Sequence, residues 1–349
     1  MAAAVQERLV VAGVGAGSLD YFLPFPGDVR PGSDEPWELW PGHIPGEKGI
    51  LEPHQVGFLE TATGLETHVG GNTVNSLAWI AMQGSVKQAR LVTAVGIEGD
   101  VASDAILKHL PNVGVSGEHV LRLPGYQPSI AAIEHEFEGS NRMVRSRRRG
   151  PMGEHMTDGH LMKAMHGANV VLMASLKDTD LMDRVFTLAP TEAFTTLNPS
   201  QTELDDEQDR RHILSSLGDR NVSLLAVNEK ELPKLLGRRD EDPLKLAKDA
   251  SKRYAKYVLC TLGEAGLVIA HNGDSKWHPT VHVPKEEIGT TLGAGDRAHA
   301  IAALRIAERV PLEDVVCEIA HSTSNLVRYR GAHQDQYDST VKRLKRHSF

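Results

Sequence analysis

Cysteine is scarce: Cys260 and Cys317, 57 positions apart in a chain of 349 residues, form neither a disulfide framework nor a CxxC pair for metal or redox chemistry. Both are expected as buried free thiols. The 17 histidines fall into no HExxH or other metal-ligand spacing, so no transition metal is assigned. No apolar run reaches 18 residues, which excludes a membrane-spanning helix of ordinary length. The start, Met1-Ala2-Ala3-Ala4-Val5-Gln6-Glu7-Arg8, lacks a secretory signal's basic residues and long apolar stretch, and a cytoplasmic protein without a membrane partner is expected. Basic residues are outnumbered, 38 against 46 acidic ones, and the net charge of −8 argues against a nucleic-acid surface and for a small-molecule partner. There is no GxxxxGK[ST], so a P-loop is unsupported.

What is present is a globular composition, 40% hydrophobic and 24% charged. The length suits one large α/β domain, 1–349. Leu9 to Val14 is an apolar run ending in glycines, as a buried strand would. From about residue 158 strand-like segments (Asn169 to Met173, Phe194 to Leu197, Leu224 to Val227, Tyr257 to Cys260) alternate with charged helical stretches. That order predicts a mostly parallel sheet with helices on both faces. Residues from about Gly293 to Arg328 predict two helices separated near Val310-Pro311.

Two excursions interrupt the pattern. Between Pro24 and Pro53 lie seven of the 18 prolines, several glycines, and Trp37 and Trp40, a mix that points to a folded excursion. Its tryptophans are expected to pack. Ser129 to Gly150 runs from apolar Ile130-Ala131-Ala132-Ile133 to Arg142, Arg145, Arg147, Arg148 and Arg149. A solvated strand edge accounts for that charge run, with an anion site as the competing account.

The segment that best carries chemistry is Thr290-Thr291-Leu292-Gly293-Ala294-Gly295-Asp296, which opens an apolar helical stretch. Small residues at a helix start let backbone amides point at an anion such as a phosphate. An aspartate on the first turn can take a proton from a substrate hydroxyl, and its ordinary pKa of about 3.9 keeps it ionised at neutral pH. Gly13-Val14-Gly15-Ala16-Gly17-Ser18 invites a dinucleotide reading, but the third required glycine falls on Ser18, and Pro24 and Pro26 follow where a long helix should run.

The Gly293–Asp296 stretch resembles the GAGD signature of the ribokinase (PfkB) family of carbohydrate and nucleoside kinases. Four further stretches are similar to family motifs in the same order: VAGVGAGSLD from Val11 to Asp20, Gly70-Gly71-Asn72-Thr73-Val74-Asn75, the NxxE of Asn228-Glu229-Lys230-Glu231, and the TLGxxG turn from Thr261 to Gly266. Together they span about residues 9 to 331.

The resemblance implies a ribokinase-like α/β fold with a small β lid, built from the excursions 21–69 and 119–150, and a possible homodimer through the lids. It implies ATP and Mg²⁺, and a small sugar or nucleoside as acceptor. Asp296 would be the general base, with the amides of Gly293, Ala294 and Gly295 as the anion hole. Asp20, Gly71, Asn72 and Asn75 would hold the acceptor. Asn228, Thr261, Gly263 and Gly266 would line the nucleotide site, and Glu231 with Asn228 would organise water around Mg²⁺. Taken singly, Asp20 also suits a strand end, Asn75 a helix cap and Glu231 a surface charge. The expected reaction is phosphoryl transfer to a hydroxymethyl group of a sugar or sugar derivative, with a nucleoside kinase or a non-catalytic sugar or nucleotide sensor as alternatives.

Two positions depart from the family pattern. Thr290 stands where an Asp is usual, which removes a carboxylate that in some members helps hold a monovalent cation. Ala298 replaces a common aromatic and is expected to loosen packing behind the anion hole.

Overall fold

Apolar segments that need cover on both faces build the centre of the molecule. A computed structural model describes residues 8–23, 49–61, 65–135, 141–147, 152–176, 178–220, 222–238 and 241–328. The first half of the chain carries β1 (Leu9–Gly15), β2 (Ser18–Leu23), β3 (Gly49–Ile50), α1 (Pro53–Thr61), β4 (Glu66–Gly70), α2 (Asn72–Ala81), β5 (Val86–Val95), α3 (Val101–Asn112), β6 (Val115–Ser116), β7 (Val120–Arg122), β8 (Ser129–His135) and β9 (Asn141–Arg147). Helices and strands then alternate: α4 (Asp158–Met165), β10 (Val170–Ala174), α5 (Thr179–Leu188), β11 (Phe194–Asn198), α6 (Gln201–Asp205), α7 (Glu207–Asp219), β12 (Leu224–Asn228), α8 (Glu231–Leu236), α9 (Pro243–Arg253) and β13 (Tyr257–Thr261). The hairpin of β14 (Leu267–His271) and β15 (Asp274–His278) precedes α10 (Ala294–Ala307) and α11 (Leu312–Val327).

The main sheet runs β15-β14-β13-β12-β11-β10-β1-β5-β6, with β7 also on β5. Pairs from β13 to β6 are parallel, and the β13–β14 and β14–β15 pairs are antiparallel. The predicted mostly parallel sheet is therefore present. Successive strand residues face opposite sides. Val171 and Met173 enter the core beneath α4, α5, α7 and α9, while Val170, Leu172 and Ala174 enter the core beneath α2, α10 and α11. Helix α10 is buried on nearly every side, which its run of alanines permits by letting neighbouring backbones approach. Ala298 is only 1% exposed within that core.

A second sheet, β3-β9-β8-β2-β4, combines strands from both excursions. Leu19, Tyr21, Leu23, Ile130 and Ala132 on one face pack with Leu51, Val56 and Leu59 around α1, while Phe22, Ala131 and Ile133 on the other meet Leu292. The boundaries differ from expectation. The first excursion joins this sheet already at Ser18, and the second joins only at Ser129, because Val120–Arg122 pairs with β5 and its flanking side chains belong to the main cores. Trp37, Trp40, Arg148 and Arg149 lie outside the described residues, as do the side chains of Arg142, Arg145 and Arg147 on β9.

Cys260 is a buried free thiol, but Cys317 is an exposed one. It lies on the face of α11 opposite the buried Val315, Ile319 and Leu326. Among the described residues no helix is long and apolar enough to cross a membrane.

Candidate active site

Strand order reverses between β10 and β1, the place in an open α/β sheet where a crevice forms outside the carboxyl ends of the strands. There α2 and α10 start side by side. Helices α3, α4, α5, α7 and α9 carry side-chain caps, whereas α2 begins at Gly71 and α10 at Gly293 with none. No side chain takes their first amides, although the Ala294 N–H donates to the Thr291 carbonyl at 3.4 Å. Gly293 takes φ 77, the left-handed region that a glycine adopts without strain.

The cleft at this point has a volume of about 610 Å³. It brings together the predicted Asn72, Asn228, Glu231, Thr261, Gly263, Gly266, Ala294, Gly295 and Asp296. Four expected site residues stand beside it: Asn75 donates to Oδ2 of Asp296 at 2.8 Å, Asp20 lies close enough to Asp296 to feel its charge, Gly71 precedes α2 and Gly293 precedes α10. The glycine pair has a packing reason of its own. A Cβ on Gly70 would lie 2.1 Å from Asp20 Oδ2, and one on Gly71, at φ 99, would lie 2.5 Å from the Ala16 carbonyl oxygen. On the side where a Cβ would stand, the room at these glycines is taken by Asp20 and by the β1–β2 connection, which accounts for the lack of a side chain at both.

The carboxylates of the site resist ionisation. Burial pushes Asp296 up to about 6, opposed by the Asn75 hydrogen bond. This corrects the ordinary value assumed from sequence. Burial also lifts Asp20 to about 6, with the Ser18 hydroxyl, donating at 2.8 Å, opposing it and the charge of Asp296 reinforcing it. Glu231 is pushed to about 7, again chiefly by burial, and only 9% of it is exposed, so it is no surface charge.

Asn228 and Glu231 hold each other. The Asn228 N–H donates to Glu231 Oε2 at 2.9 Å, and the N–H groups of Lys230 and Glu231 donate to Asn228 Oδ1 at 2.9 and 3.0 Å. The Asn228 oxygen is thus spent on the turn that aims Glu231. A buried carboxylate with a raised pKa gains from a nearby cation, and Mg²⁺ needs few protein ligands because it keeps much of its water. That chemistry fits Glu231. Among the described residues no group of three or more His, Cys, Asp or Glu is placed to hold a metal directly.

Several contributors were not singled out from sequence. Asn198, at the carboxyl end of β11, donates to the Ala226 carbonyl at 2.9 Å and accepts from Asn72 at 3.4 Å. Its signal was its place at the end of a buried parallel strand. Ser76 donates to the Asp296 carbonyl at 3.1 Å, and Trp277 Nε1 donates to the Ala265 carbonyl at 2.9 Å, bracing the 263–266 turn. His282 and Thr323, from the segment after β15 and from α11, close the far side. Thr290, which the sequence did mark as a departure from the family pattern, is fully buried, and its hydroxyl accepts from Leu292 N–H at 3.1 Å, shaping the loop before α10.

Comparison with solved structures finds the same fold. An adenosine kinase from Sinorhizobium meliloti superposes with a TM-score of 0.71 at 16% identity, covering 94% of this chain and 96% of that one. A ribokinase from Cryptococcus neoformans var. grubii serotype A in complex with ADP gives 0.65 at 19%, covering 93% and 96%. An Arabidopsis thaliana ribokinase complexed with ribose and ATP gives 0.66 at 19%, covering 93% and 94%. The model of the pfkB family carbohydrate kinases matches residues 53–338, a span that includes the Gly70–Asn75 motif, the NxxE turn and the whole of α10. By that match the chain belongs to the PfkB family of carbohydrate kinases.

Proposed function

We propose that this chain is an ATP-dependent kinase that phosphorylates a hydroxymethyl group of a small sugar or sugar derivative. The observation that carries this reading is the half-buried carboxylate of Asp296 on the first turn of α10, beside uncapped amides and facing Asp20. Family membership supports it. In the step, the acceptor oxygen forms a bond to the γ-phosphorus, Asp296 takes the hydroxyl proton, and the bond from the γ-phosphorus to the bridging oxygen breaks to release ADP. The amides of Gly293, Ala294 and Gly295 meet the charge that develops. Asp20 and Asn72 hold acceptor hydroxyls by hydrogen bonds. Thr261, Gly263 and Gly266 line the nucleotide's half of the cleft. Glu231 orients water in the Mg²⁺ shell, and the ion, when bound, neutralises charge on the β- and γ-phosphates. The small sheet of β2, β3, β4, β8 and β9 serves as the lid, excluding water from ATP when the acceptor is in place.

A nucleoside acceptor is the second reading, favoured by the fold likeness to an adenosine kinase. Both are tested by ADP release from MgATP across pentoses, hexoses, sugar acids, sugar phosphates and nucleosides. Acceptor-dependent ADP is expected, and the active acceptor names the class. Nucleotide binding with no ADP from any acceptor would replace the kinase with a sensor.

A further inference from the structure

Asn75 is tied to Asp296 across 221 positions of sequence, by a 2.8 Å hydrogen bond from its amide Nδ2 to Oδ2. The next residue grips the same aspartate from the other side: the buried Ser76 hydroxyl donates to its backbone carbonyl at 3.1 Å. Asn75 is itself fixed, with its N–H donating to the Gly71 carbonyl at 2.9 Å. Two consecutive side chains of α2 thus hold the main chain and the carboxylate of one residue of α10. We propose that Asn75 is a positioning residue for Asp296, keeping the carboxylate ionised and fixing one oxygen so that the other serves the acceptor. This goes beyond the hold on a sugar hydroxyl that family resemblance implies for Asn75, and it rests on the reading of Asp296 as general base.

Burial works against ionisation of Asp296, and its acidic neighbours are themselves pushed up by its charge. Asp20 from β2 and Glu231 from α8 are both acidic, and Glu229, Lys230 and His282 line the same cleft. On its own helix, Arg297 lies over the Trp79 ring and donates to Ser322, and His299 is bonded to Thr196. Helix α2 carries no ionisable side chain at all. A neutral amide donor suits this place. It stabilises the carboxylate without an ion pair, which would weaken the base, and it has no proton of its own to exchange near neutral pH. With burial pushing the carboxyl up to about 6 and the Asn75 bond pulling it down, the base stays ionised at neutral pH yet keeps useful proton affinity.

The test is the titration of the Asp296 carboxyl by carbon-13 NMR in the ligand-free full chain, assigned by its loss in Asp296→Asn. Wild type is compared with Asn75→Leu and with the smaller Asn75→Ala, which keeps the test open should the leucine fail to fit. Proton affinity is expected to rise about tenfold in either variant. The acid limb of the kcat profile is expected to move to higher pH with it, so that raising pH restores part of the lost rate. An unmoved titration and acid limb, even with a higher acceptor KM, would overturn the proposal and leave Asn75 a substrate ligand. If the titration moves but wild type yields no ADP with any acceptor, the kinase reading fails while the hold of Asn75 on Asp296 stands.

Discussion

Replacing Asp296 by Asn removes a carboxylate that folding has to desolvate, while keeping the side chain's shape and an oxygen that can accept from Asn75. The folded-state pKa lies near 6 against an ordinary 3.8, and that difference penalises the ionised native form by about 3 kcal/mol at most. Solvent at a half-buried group screens part of this, so Asp296→Asn is expected to stabilise the fold by about 1–3 kcal/mol at neutral pH. At roughly 2.1 cal/mol/K per residue over 349 residues, the unfolding entropy is about 0.7 kcal/mol/K, and the midpoint rises by about 1–4 °C. The sign with pH follows from the raised value. The penalty is absent below about pH 3.8, grows up to about 6 and is complete above it, so the stabilisation appears only as pH rises through that window. Loss of the base should lower kcat by about 10²–10⁴-fold. Thermal and urea unfolding at a series of pH values, run beside ADP release, measure both effects. A variant no more stable than wild type above pH 6 would refute the claim that this carboxylate is held under strain, and full activity would remove it from catalysis. Gaining stability by losing the base would show that stability is given up here for function.

Gly70→Ala would set a Cβ 2.1 Å from Asp20 Oδ2, and the forced shift is expected to cost about 1–3 kcal/mol and to raise the acceptor KM. Unchanged urea midpoint and KM would mean that Asp20 is not confined as described. His299 is buried with its pKa pushed by burial down to about 3, so the unfolded chain takes up the proton first and stability falls as pH drops from about 6.5 toward 3. Between about pH 6.5 and 4.5 wild type should lose about 2–3 kcal/mol more than His299→Gln, whose other titrating groups are the same. Equal pH slopes for the two in urea unfolding would show that His299 is not buried neutral.

Much of this molecule is local, and local features were legible. The apolar runs of β1 and β10 to β13 needed only their composition, and the α10–α11 break at Val310-Pro311 needed only a proline. The box between Asn228 and Glu231 joins partners three positions apart, so the sequence NEKE already contained both. Strand β5 was missed because Lys87, Gln88 and Arg90 break its apolar pattern in the half that is less buried. The β14–β15 hairpin carried its signal in Asn272-Gly273, both with positive φ as a tight turn between twisted strands requires.

The sequence by itself determined the order of elements, the family motifs and the place of Asp296 on the first turn of a helix, because periodicity, glycines and prolines act within a few residues. Only the tertiary structure decided what that aspartate touches. The Asn75 bond, the Ser76 clamp, the approach of Asp20 and the contact of Asn72 with Asn198 join segments far apart in the chain. Their proton affinities follow from the same cause: desolvation depends on how the surrounding elements close over a carboxyl group, and no spacing along the chain records that.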